Sequence, residues 1–585
     1  MAEIQSSFPR ASTGAGQNTA LLLLCFAFVA ALFTRLPDVI LNPQFFAEDG
    51  SVFYQQAHES GFLRTLLFPY AGYLHTLPRL IAGPSGLLPL ASAPLFFNAA
   101  SLAIQCLPAV LLCTSRMDRL GPLRARVLLV FLYLGVPNIA DIWGTPTNAQ
   151  WHLAILSFLI LIAAPPPTAA WRVFDTVALL LGALTGPFCI LLLPVALLAF
   201  RERRGSWTLK LIGILSLGTF AQATSLWLHS RPSWQTTLGA SWSGFCNIMA
   251  FQVFLAVFPR PDTIAGLAHR PFSALALSCL VTVAGIVSIT YIFARGSLEI
   301  RCLILFAAVV LAASLAFPLA THIGTQWKAL QLPGNVPRYW YIPRLAIAAA
   351  ALWLATARAH KALRYTALVA LVLIMLADAM NWLLPSRYDL HFKMYVEAFN
   401  ALPVGSRLRI PLNPSGWAMW LTKKVDDPMS YPSGSLGTLL ITQEDWQRHF
   451  HAESPELLPY ALSGAIETVN GTAVTGMGNP ARPMHVPIVS GALIEGWAAT
   501  PDPLDTRPLD LLYMLQSEVL VRCERLPRPD IGFYSRVPIL IRSGFVTFLP
   551  PAVLKPGLQA VRLIGYSQSD GKLYRYPQAL YLYGD

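Results

Sequence analysis

Long apolar runs alternate with short polar loops over the first two thirds of the chain. Because a membrane-crossing helix needs about 20 largely apolar residues, each such run predicts one span. The run at 173–200 is too long for one helix and contains Thr185-Gly186-Pro187, which is typical of a turn, so it predicts two short helices joined by a turn. The chain therefore predicts about eleven crossings. The other predicted spans are 19–36, 92–114, 125–141, 149–164, 207–228, 272–294, 302–320, 341–357 and 365–384.

Basic residues in the loops give these spans a direction. Lys and Arg collect in the cytoplasmic loops of membrane proteins. Four basic loops share one side of the membrane if 173–200 is a hairpin and the short apolar segment 245–258 does not cross. Residues 1–18 are then a cytoplasmic N-terminus, and the tail from residue 385 lies outside. The four loops are marked by Arg116, Arg119, Arg124 and Arg126, by Arg201, Arg203, Arg204 and Lys210, by Arg295 and Arg301, and by Arg358, Lys361 and Arg364.

The composition supports a membrane protein. Of 585 residues, 55% are hydrophobic and 12% are charged, against about 25% charged in a soluble domain. This excludes a purely soluble enzyme and a disordered chain. The net charge of +12 agrees with the basic cytoplasmic loops, and without a basic stripe interleaved with aromatic residues no nucleic-acid partner is expected. We expect a multi-pass protein of the inner (plasma) membrane. Six of the eight cysteines lie in apolar runs, where Cys acts as a small hydrophobe.

The tail differs from the rest of the chain. From about residue 385, charged and turn-forming residues become frequent, and short apolar alternations at 408–410, 519–522 and 539–542 predict strands. We therefore expect a transmembrane domain at 19–384, a mixed extracytoplasmic linker segment at 385–455, and a β-sandwich at 456–585.

Adjacent acids follow the first predicted span. Glu48 and Asp49 beside a membrane surface are unfavourable unless they are solvated or used. They are therefore either a solvated Asp-Gly turn or a general base that takes a proton from a hydroxyl group. The same outer segment continues with Tyr70 and His75, and then with Arg79, which binds either a lipid phosphate or a substrate phosphate.

Two further outer loops carry candidate binding residues. Asp141, Asn148 and Trp151 combine an acid, an amide and an indole in a loop without Lys or Arg, which is typical of a sugar site and also of an interfacial tryptophan belt. The loop before the tenth predicted span offers cations for a donor phosphate, although anchoring to lipid headgroups explains them equally. Its candidate residues are His322, Lys328, Arg338 and Tyr339.

These features together resemble the GT-C superfamily, which consists of multi-span glycosyltransferases that use polyprenyl-phosphate-linked sugars. The resemblance covers about residues 20–384 and rests on four features. They are Glu48-Asp49 just after the first span, an interfacial helix at Tyr70-Ala71-Gly72-Tyr73, the Gly186-Pro187-Phe188 hairpin followed by Leu193-Pro194, and Arg338-Tyr339 just before a span.

The resemblance implies a function. In that superfamily an acid of the first outer loop is the catalytic base, which corresponds here to Asp49 or Glu48. The expected activity is transfer of a sugar from a polyprenyl-phosphate carrier to an extracytoplasmic glycan or lipid-linked acceptor. The partners are then membrane lipid, the lipid-linked sugar and the acceptor. A divalent ion, Mg²⁺ or Mn²⁺, stays open, and no metal ligands are assigned because the acidic pair is Glu-Asp rather than Asp-Asp or Asp-x-Asp.

Two other classes of function compete with this one. The first is a non-catalytic membrane protein of polysaccharide assembly or export, in which Glu48 and Asp49 would be solvated. The second is a secondary transporter. It is disfavoured because the predicted spans contain few charges, of which Asp175 and Asp378 near helix ends are the clearest, and because no internal repeat is visible.

The tail carries a resemblance of its own. It is similar to a β-sandwich module that recurs at the ends of bacterial surface-polysaccharide proteins, which implies carbohydrate binding. The segments that carry this resemblance are 464–471, 494–498, 528–530, 543–545 and 554–557.

Overall fold

The structure, a computed structural model, describes two compact units. The described residues are 14–229, 236–258, 273–357, 360–428, 440–442, 460–501, 508–516, 519–535, 537–567, 569 and 571–585. The first, which we call the helical unit, comprises the described residues of Met1–Leu41, Leu66–Pro78 and Asn98–Ser386. The second, which we call the mixed unit, comprises those of Asn42–Thr65, Arg79–Phe97 and Arg387–Asp585. This division differs from the expected domain at 19–384, because the segments 42–65 and 79–97 belong to the unit of the tail.

Every predicted span contains a helix. The helices are Gly14–Arg35, Ala93–Cys113, Leu123–Gly135, Ala149–Ile162, Ala169–Ala183, Phe188–Arg203, Ser206–Leu228, Ser273–Arg295, Leu298–Ala316, Tyr341–Thr356 and Lys361–Met380. Within the described residues, five helical stretches are long and apolar enough to cross a membrane. These are Leu90–Cys113, Ser206–Leu228, Leu275–Arg295, Leu298–Ala316 and Lys361–Met380.

Some helices are shorter or shifted relative to the prediction. The span predicted at 125–141 ends as a helix at Gly135. Pro137 explains this end, since proline lacks a backbone N–H and disfavours a helical conformation in the residue before it. The span predicted at 302–320 is the helix Leu298–Ala316, which ends two residues before Pro318 for the same reason.

The predicted hairpin at 173–200 is confirmed. Ala169–Ala183 and Phe188–Arg203 are separate helices. Gly186 between them has a φ of +84°, a conformation that glycine adopts without the steric penalty of a Cβ atom.

The helical unit has a buried centre and an apolar surface. All 14 residues of Ala149–Ile162 and ten of the 16 residues of Tyr341–Thr356 are buried, as expected for helices that are apolar all round. At the surface, large apolar side chains are exposed, among them Phe220 and Trp227 of Ser206–Leu228. Exposed apolar side chains on long helices are suited to a lipid environment.

The segment predicted at 245–258 not to cross forms short, irregular helical turns. They are Trp242–Asn247, the wider π-type turns Ile248–Phe254, and Leu255–Val257. All three contain buried residues. Each accepts one hydrogen bond from a distant side chain at a backbone oxygen, at Cys246 from Thr282, at Gln252 from Arg344 and at Ala256 from Asn138.

The mixed unit contains 15 strands within its described residues. They are β1 Arg407–Leu412, β2 Trp417–Thr422, β3 Leu440–Thr442, β4 Tyr460–Ala461, β5 Ser463–Val469, β6 Thr472–Ala473, β7 Met484–Val486, β8 Ala492–Ala499, β9 Leu511–Gln516, β10 Val519–Arg522, β11 Glu524–Leu526, β12 Gly544–Leu549, β13 Gly557–Ser567, β14 Lys572–Arg575 and β15 Leu580–Gly584. Strands β1 and β2 form an antiparallel pair of their own. The larger sheets have the orders β3-β10-β9-β13-β14-β4, with β15 joining β13 to β7, and β11-β12-β8-β5-β6.

The two larger sheets share one apolar core. Ile466 and Ile494 of the second sheet and Met514 and Leu563 of the first belong to the same buried cluster. Two sheets that pack their inner faces on one core form a β-sandwich. The strand predicted at 539–542 is wrong, because Pro538–Arg542 is a 3₁₀ turn that starts at proline.

The mixed unit also contains helices. These are the π-type segment Asp49–Tyr54, followed by Gln55–Ser60, Phe62–Thr65, Phe392–Ala401 and Pro529–Ser535. The helix Phe392–Ala401 lies in the segment 385–455, which the sequence predicts as mixed. Its Tyr395 hydroxyl donates to Glu495 Oε1 at 2.5 Å, so this helix is tied to the sandwich by a buried charged hydrogen bond.

Candidate functional site

An ion pair joins two of the loops that the sequence singled out in the helical unit. Arg338 Nη1 lies 3.2 Å from Asp141 Oδ2. Arg338 belongs to the turn Pro337–Trp340 just before helix Tyr341–Thr356. Asn148 Nδ2 donates to the backbone oxygen of Asp141 at 2.8 Å. Three of the predicted binding residues therefore meet at one place.

A buried arginine holds the backbone around this place. Arg344 is 2% exposed. It donates from Nε to the backbone oxygen of Gln252 at 2.9 Å and from Nη1 to that of Pro137 at 3.1 Å. These bonds fix the loop before Asp141 against the π-type segment Ile248–Phe254. Sequence reasoning missed Arg344, although a single arginine inside a predicted span is a signal of a functional or structural role.

Aromatic side chains flank the ion pair. The rings of Trp151 and Tyr339 have centroids 6.2 Å apart, and Trp151 also meets Phe188 edge-on at 4.8 Å. The Arg338 guanidinium lies over the Tyr339 ring at 5.5 Å. The predicted residues Trp151 and Tyr339 therefore join Asp141, Asn148 and Arg338 in one cluster, which we call the Asp141–Arg338 site.

Several buried polar atoms of this region have no hydrogen-bond partner among the described residues. A buried polar atom without a partner is unfavourable by about 1–3 kcal/mol, so such atoms are rare unless a ligand or water pairs with them. They include two acceptors, two donors and one hydroxyl group that can do both, and the hydroxyl groups of a sugar can pair with either kind. These atoms are Asp141 Oδ1, Thr145 Oγ1, Gln150 Oε1, Trp151 Nε1 and Trp340 Nε1.

The carboxyl group of Asp141 has a shifted pKa. Burial raises this pKa above its usual value, and the Arg338 guanidinium opposes the shift. Asp141 lies in the turn Ala140–Ile142, outside the helices. A carboxyl group with one paired oxygen and one buried unpartnered oxygen is suited to accept hydrogen bonds from a ligand.

The interfacial helix predicted at Tyr70-Ala71-Gly72-Tyr73 is wrong for these four residues, and a helix begins only at Thr76, as Thr76–Ser85. Tyr70 and Tyr73 exchange both backbone hydrogen bonds, at 3.0 and 3.2 Å, and Ala71 and Gly72 have positive φ, which makes a tight two-residue turn. The His75 ring stacks on Tyr73 with a centroid distance of 4.4 Å and meets Tyr70 edge-on at 5.5 Å. Tyr70 and His75 therefore come together, as partners of each other.

This turn is fastened to the hairpin at Gly186. The N–H of Leu74 donates to Gln222 Oε1 at 2.9 Å, and Gln222 Nε2 donates to the backbone oxygen of Gly186 at 3.1 Å. Thr76 N–H donates to the backbone oxygen of Leu184 at 3.1 Å. In the sequence, Gln222 is a single amide within a mostly apolar helix. Sequence reasoning therefore missed its role in binding the turn.

Two other candidate residues of the loop before the tenth predicted span, Lys328 and His322, are exposed. Lys328 is exposed on the short helix Gln326–Leu330, and His322 is exposed before it. Among the candidate cations of this loop, Arg338 is the one that pairs with Asp141.

The predicted catalytic acids belong to the mixed unit. Asp49 begins the helical segment Asp49–Tyr54 and is 1% exposed, whereas Glu48 is half-buried. Arg79, also 1% exposed, lies over the Phe53 ring at 5.2 Å and donates from Nη2 to Gln56 Oε1 at 3.0 Å.

A buried cation thus accompanies the segment that starts at Asp49, since Phe53 lies one turn beyond Asp49. Burial lowers the pKa of Arg79 to about 10, so the side chain stays charged at neutral pH. The predicted residues Asp49 and Arg79 therefore belong to the same packed segment.

The donor set for a metal ion is incomplete. Within the described residues, no group of three or more His, Cys, Asp or Glu side chains converges to hold a metal. Mg²⁺ and Mn²⁺ prefer several oxygen ligands, and the divalent ion stays a prediction from the sequence.

Comparison with known proteins gives no relative. No family model, no curated protein and no solved structure matches this chain.

Proposed function

We propose that this protein is an integral membrane glycosyltransferase of the GT-C type. It transfers a sugar from a polyprenyl-phosphate carrier to an extracytoplasmic glycan or lipid-linked acceptor. The observation that carries the proposal is the Asp141–Arg338 site, in which an acid, a cation and two aromatic rings come together and the loops that supply them carry buried polar atoms without partners. A ligand rich in hydroxyl groups supplies the missing hydrogen bonds.

The donor binds with its sugar at Asp141, Asn148 and Trp151 and with its phosphate at Arg338. Indole faces and acceptor oxygens suit a sugar, and a planar guanidinium suits a phosphate. The Arg338 side chain is 32% exposed, so it is accessible to a ligand. When the glycosidic bond breaks, negative charge develops on the phosphate, and a fixed cation stabilises that charge.

Asp49 is the general base of the proposed reaction, with Glu48 as the alternative. The carboxylate takes the proton from an acceptor hydroxyl, whose oxygen attacks the anomeric carbon. The bond from that carbon to the phosphate oxygen breaks, and the lipid phosphate leaves with the electron pair. A single displacement inverts the anomeric centre. The burial of Asp49 favours this role over a non-catalytic assembly or export protein, in which the acids would be solvated.

The proposed topology follows the basic loops. Eleven crossings place the N-terminus in the cytoplasm and the tail outside the inner (plasma) membrane. The β-sandwich then faces the acceptor side, where carbohydrate binding would serve transfer. The five long apolar helices support the presence of spans. Labelling of introduced cysteines from outside the membrane tests the number of crossings and the side on which each loop lies.

The decisive experiment measures release of lipid phosphate from purified protein. The protein is incubated with a panel of polyprenyl-phosphate sugars and an acceptor extract. We expect release with at least one donor, and its loss in Asp141→Asn. Glu202→Gln, which changes an exposed acid at the end of helix Phe188–Arg203, is the matched control and should retain release. Binding of donors without release from any of them would contradict the proposal and favour the export protein.

A further inference from the structure

The hairpin β1–β2 of the tail binds the helix that follows Asp49. The backbone N–H of Trp420 donates to Gln55 Oε1 at 2.8 Å, and the N–H of Thr422 donates to Glu59 Oε1 at 2.7 Å. Strand β2 pairs with β1 through its other edge. The two N–H groups are therefore on the outer edge of the hairpin, where they would otherwise face water.

The spacing of these bonds explains why a helix fits a strand edge. Residues two apart on a strand are about 6.6 Å apart, and residues four apart on an α-helix are about 6 Å apart along its axis. Trp420 and Thr422 have the first spacing, and Gln55 and Glu59 have the second. The helix therefore presents two acceptor oxygens where a neighbouring strand would present two carbonyl groups, and it closes the sheet edge.

Residues before and after Asp49 form polar contacts with the tail. Before it, the N–H of Ala47 donates to the backbone oxygen of Asn413 at 2.5 Å. After it, His58 Nε2 lies 2.8 Å from Asp427 Oδ1. The segment between these contacts has little freedom to shift unless the hairpin shifts with it.

Gly50, the residue after Asp49, packs closely against the hairpin β1–β2. A Cβ atom added at Gly50 would lie 2.8 Å from Leu412 Cδ1 of β1, so glycine permits the close approach of the hairpin. Phe392 of the helix Phe392–Ala401 meets Phe45 edge-on at 5.8 Å, which adds an apolar contact from the same part of the tail.

We propose that residues 407–427 are a positioning element of the active site, and that they hold Asp49 in the geometry that transfer requires. The inference rests on the proposed function, in which Asp49 is the base. Gln55 and Glu59 act through the helix and touch no substrate, so they are positioning residues. A reacting group misplaced by about 1 Å loses about 100-fold in rate, so loosening this attachment should lower turnover.

The test replaces the two acceptors together. Gln55→Leu/Glu59→Leu removes both hydrogen bonds, and we expect kcat to fall about 10- to 100-fold, with the KM for the lipid-linked donor unchanged because Asp141 and Arg338 remain. Gln55→Glu/Glu59→Gln keeps an Oε1 acceptor at each position and should restore kcat. Wild-type kcat in the leucine pair, or equal loss in both pairs, would overturn the proposal.

A second measurement does not depend on activity. Hydrogen–deuterium exchange of the full-length protein in detergent reports the protection of amides 49–60. The leucine pair should expose them, and the Glu/Gln pair should not. If wild-type protein releases no lipid phosphate, the proposed function fails while exchange still decides the attachment. If wild-type protein is active and the leucine pair keeps its protection, the positioning proposal alone is wrong.

Discussion

Arg338 Nη1 lies 3.2 Å from Asp141 Oδ2, although 197 residues separate them in the chain. The sequence had assigned the acid to a sugar site and the arginine to a phosphate site. Their contact brings the two candidate sites together, as the proposed binding of a lipid-linked sugar phosphate requires. The Asp141 side chain is 20% exposed and the Arg338 side chain is 32% exposed. The pair is therefore accessible to a ligand without being fully solvated.

Removal of the cation should impair transfer more than it impairs folding. We expect Arg338→Gln to lower kcat/KM about 100-fold, as loss of a group that stabilises developing negative charge does. Arg338→Lys keeps the charge without the planar fork and should recover part of the loss. Because the two side chains share one contact, the losses in Asp141→Asn and Arg338→Gln should be less than additive in the double variant. Strict additivity in kcat/KM would show that the two act separately.

The shifted pKa of Asp141 predicts a pH dependence. Burial raises this pKa and Arg338 opposes the rise, so Arg338→Gln should raise it further. If the ionised carboxylate binds the donor, the acid limb of the kcat/KM profile should move to higher pH in Arg338→Gln. Glu202→Gln should leave the limb in place. A limb that stays or moves to lower pH in Arg338→Gln would contradict the assignment.

The raised pKa of Asp141 also predicts how the stability of the protein changes with pH. A carboxyl group whose pKa is higher in the folded state contributes stability below its unfolded pKa and loses it as pH rises through the folded pKa. Asp141→Asn cannot ionise, so the variant should lose less stability than wild type as pH rises from about 4 through the folded pKa. Thermal unfolding midpoints of both proteins across that range measure the difference, and parallel curves would speak against a raised pKa.

Local patterns in the sequence predicted the helices well. An apolar run needs no distant partner to form a helix, which is why each predicted span contains one. Gly186-Pro187 predicted the turn of the hairpin, because glycine and proline both favour turns. Pro137 was equally local, and giving it more weight would have placed the helix end at Gly135.

Distant pairings could not be predicted in the same way. Arg344 holds the backbone at Gln252, 92 residues away, and the sequence shows each as an isolated polar residue. The backbone N–H of Trp420 donates to Gln55, which is 365 residues away in the chain. The sequence therefore could not predict that the first outer loop belongs to the same unit as the tail. Such contacts depend on which distant segments the fold of each unit brings together, and one sequence without relatives gives no signal for them.

Replacing the proposed base should abolish turnover. We expect Asp49→Asn to reduce kcat by at least about 100-fold, the lower range for loss of a general base, while insertion into the membrane is unaffected. Glu48→Gln should have the smaller effect because Glu48 is half-buried whereas Asp49 is 1% exposed. Lipid-phosphate release and membrane fractionation measure the two properties. Transfer that persists in both single variants would exclude this loop as the source of the base.

The link between helix Phe392–Ala401 and the sandwich should stabilise the mixed unit. Tyr395 donates to the buried Glu495 at 2.5 Å, and Thr468 Oγ1 donates to its other oxygen at 2.7 Å. Tyr395→Phe should therefore lower stability by about 1.5–3 kcal/mol, the range for a hydrogen bond to a charged group. Exposed Lys393→Ala on the same helix is the control. Urea unfolding of the full chain, followed by exchange at strand β8, measures both, and equal effects would contradict the role of the bond.

Gly186 should tolerate a methyl group less well than a comparable glycine does. Gly186 and Gly334 have φ values of +84° and +75°, so alanine is strained at both by about 1 kcal/mol. A Cβ atom at Gly186 would lie 2.1 Å from Gln150 Oε1, whereas Gly334 has nothing within 4 Å. We expect Gly186→Ala to lower the unfolding midpoint more than Gly334→Ala does, by the equivalent of about 1 kcal/mol, because the Gln150 amide must turn away from the methyl group.

Because Gln150 carries one of the unpartnered oxygens of the proposed sugar site, Gly186→Ala should also weaken donor binding. In a Gln150→Ala background the clash is gone, so the difference in midpoint between the two glycine variants should disappear. If it persists there, the strain comes from the turn itself, and Gly186 does not position Gln150.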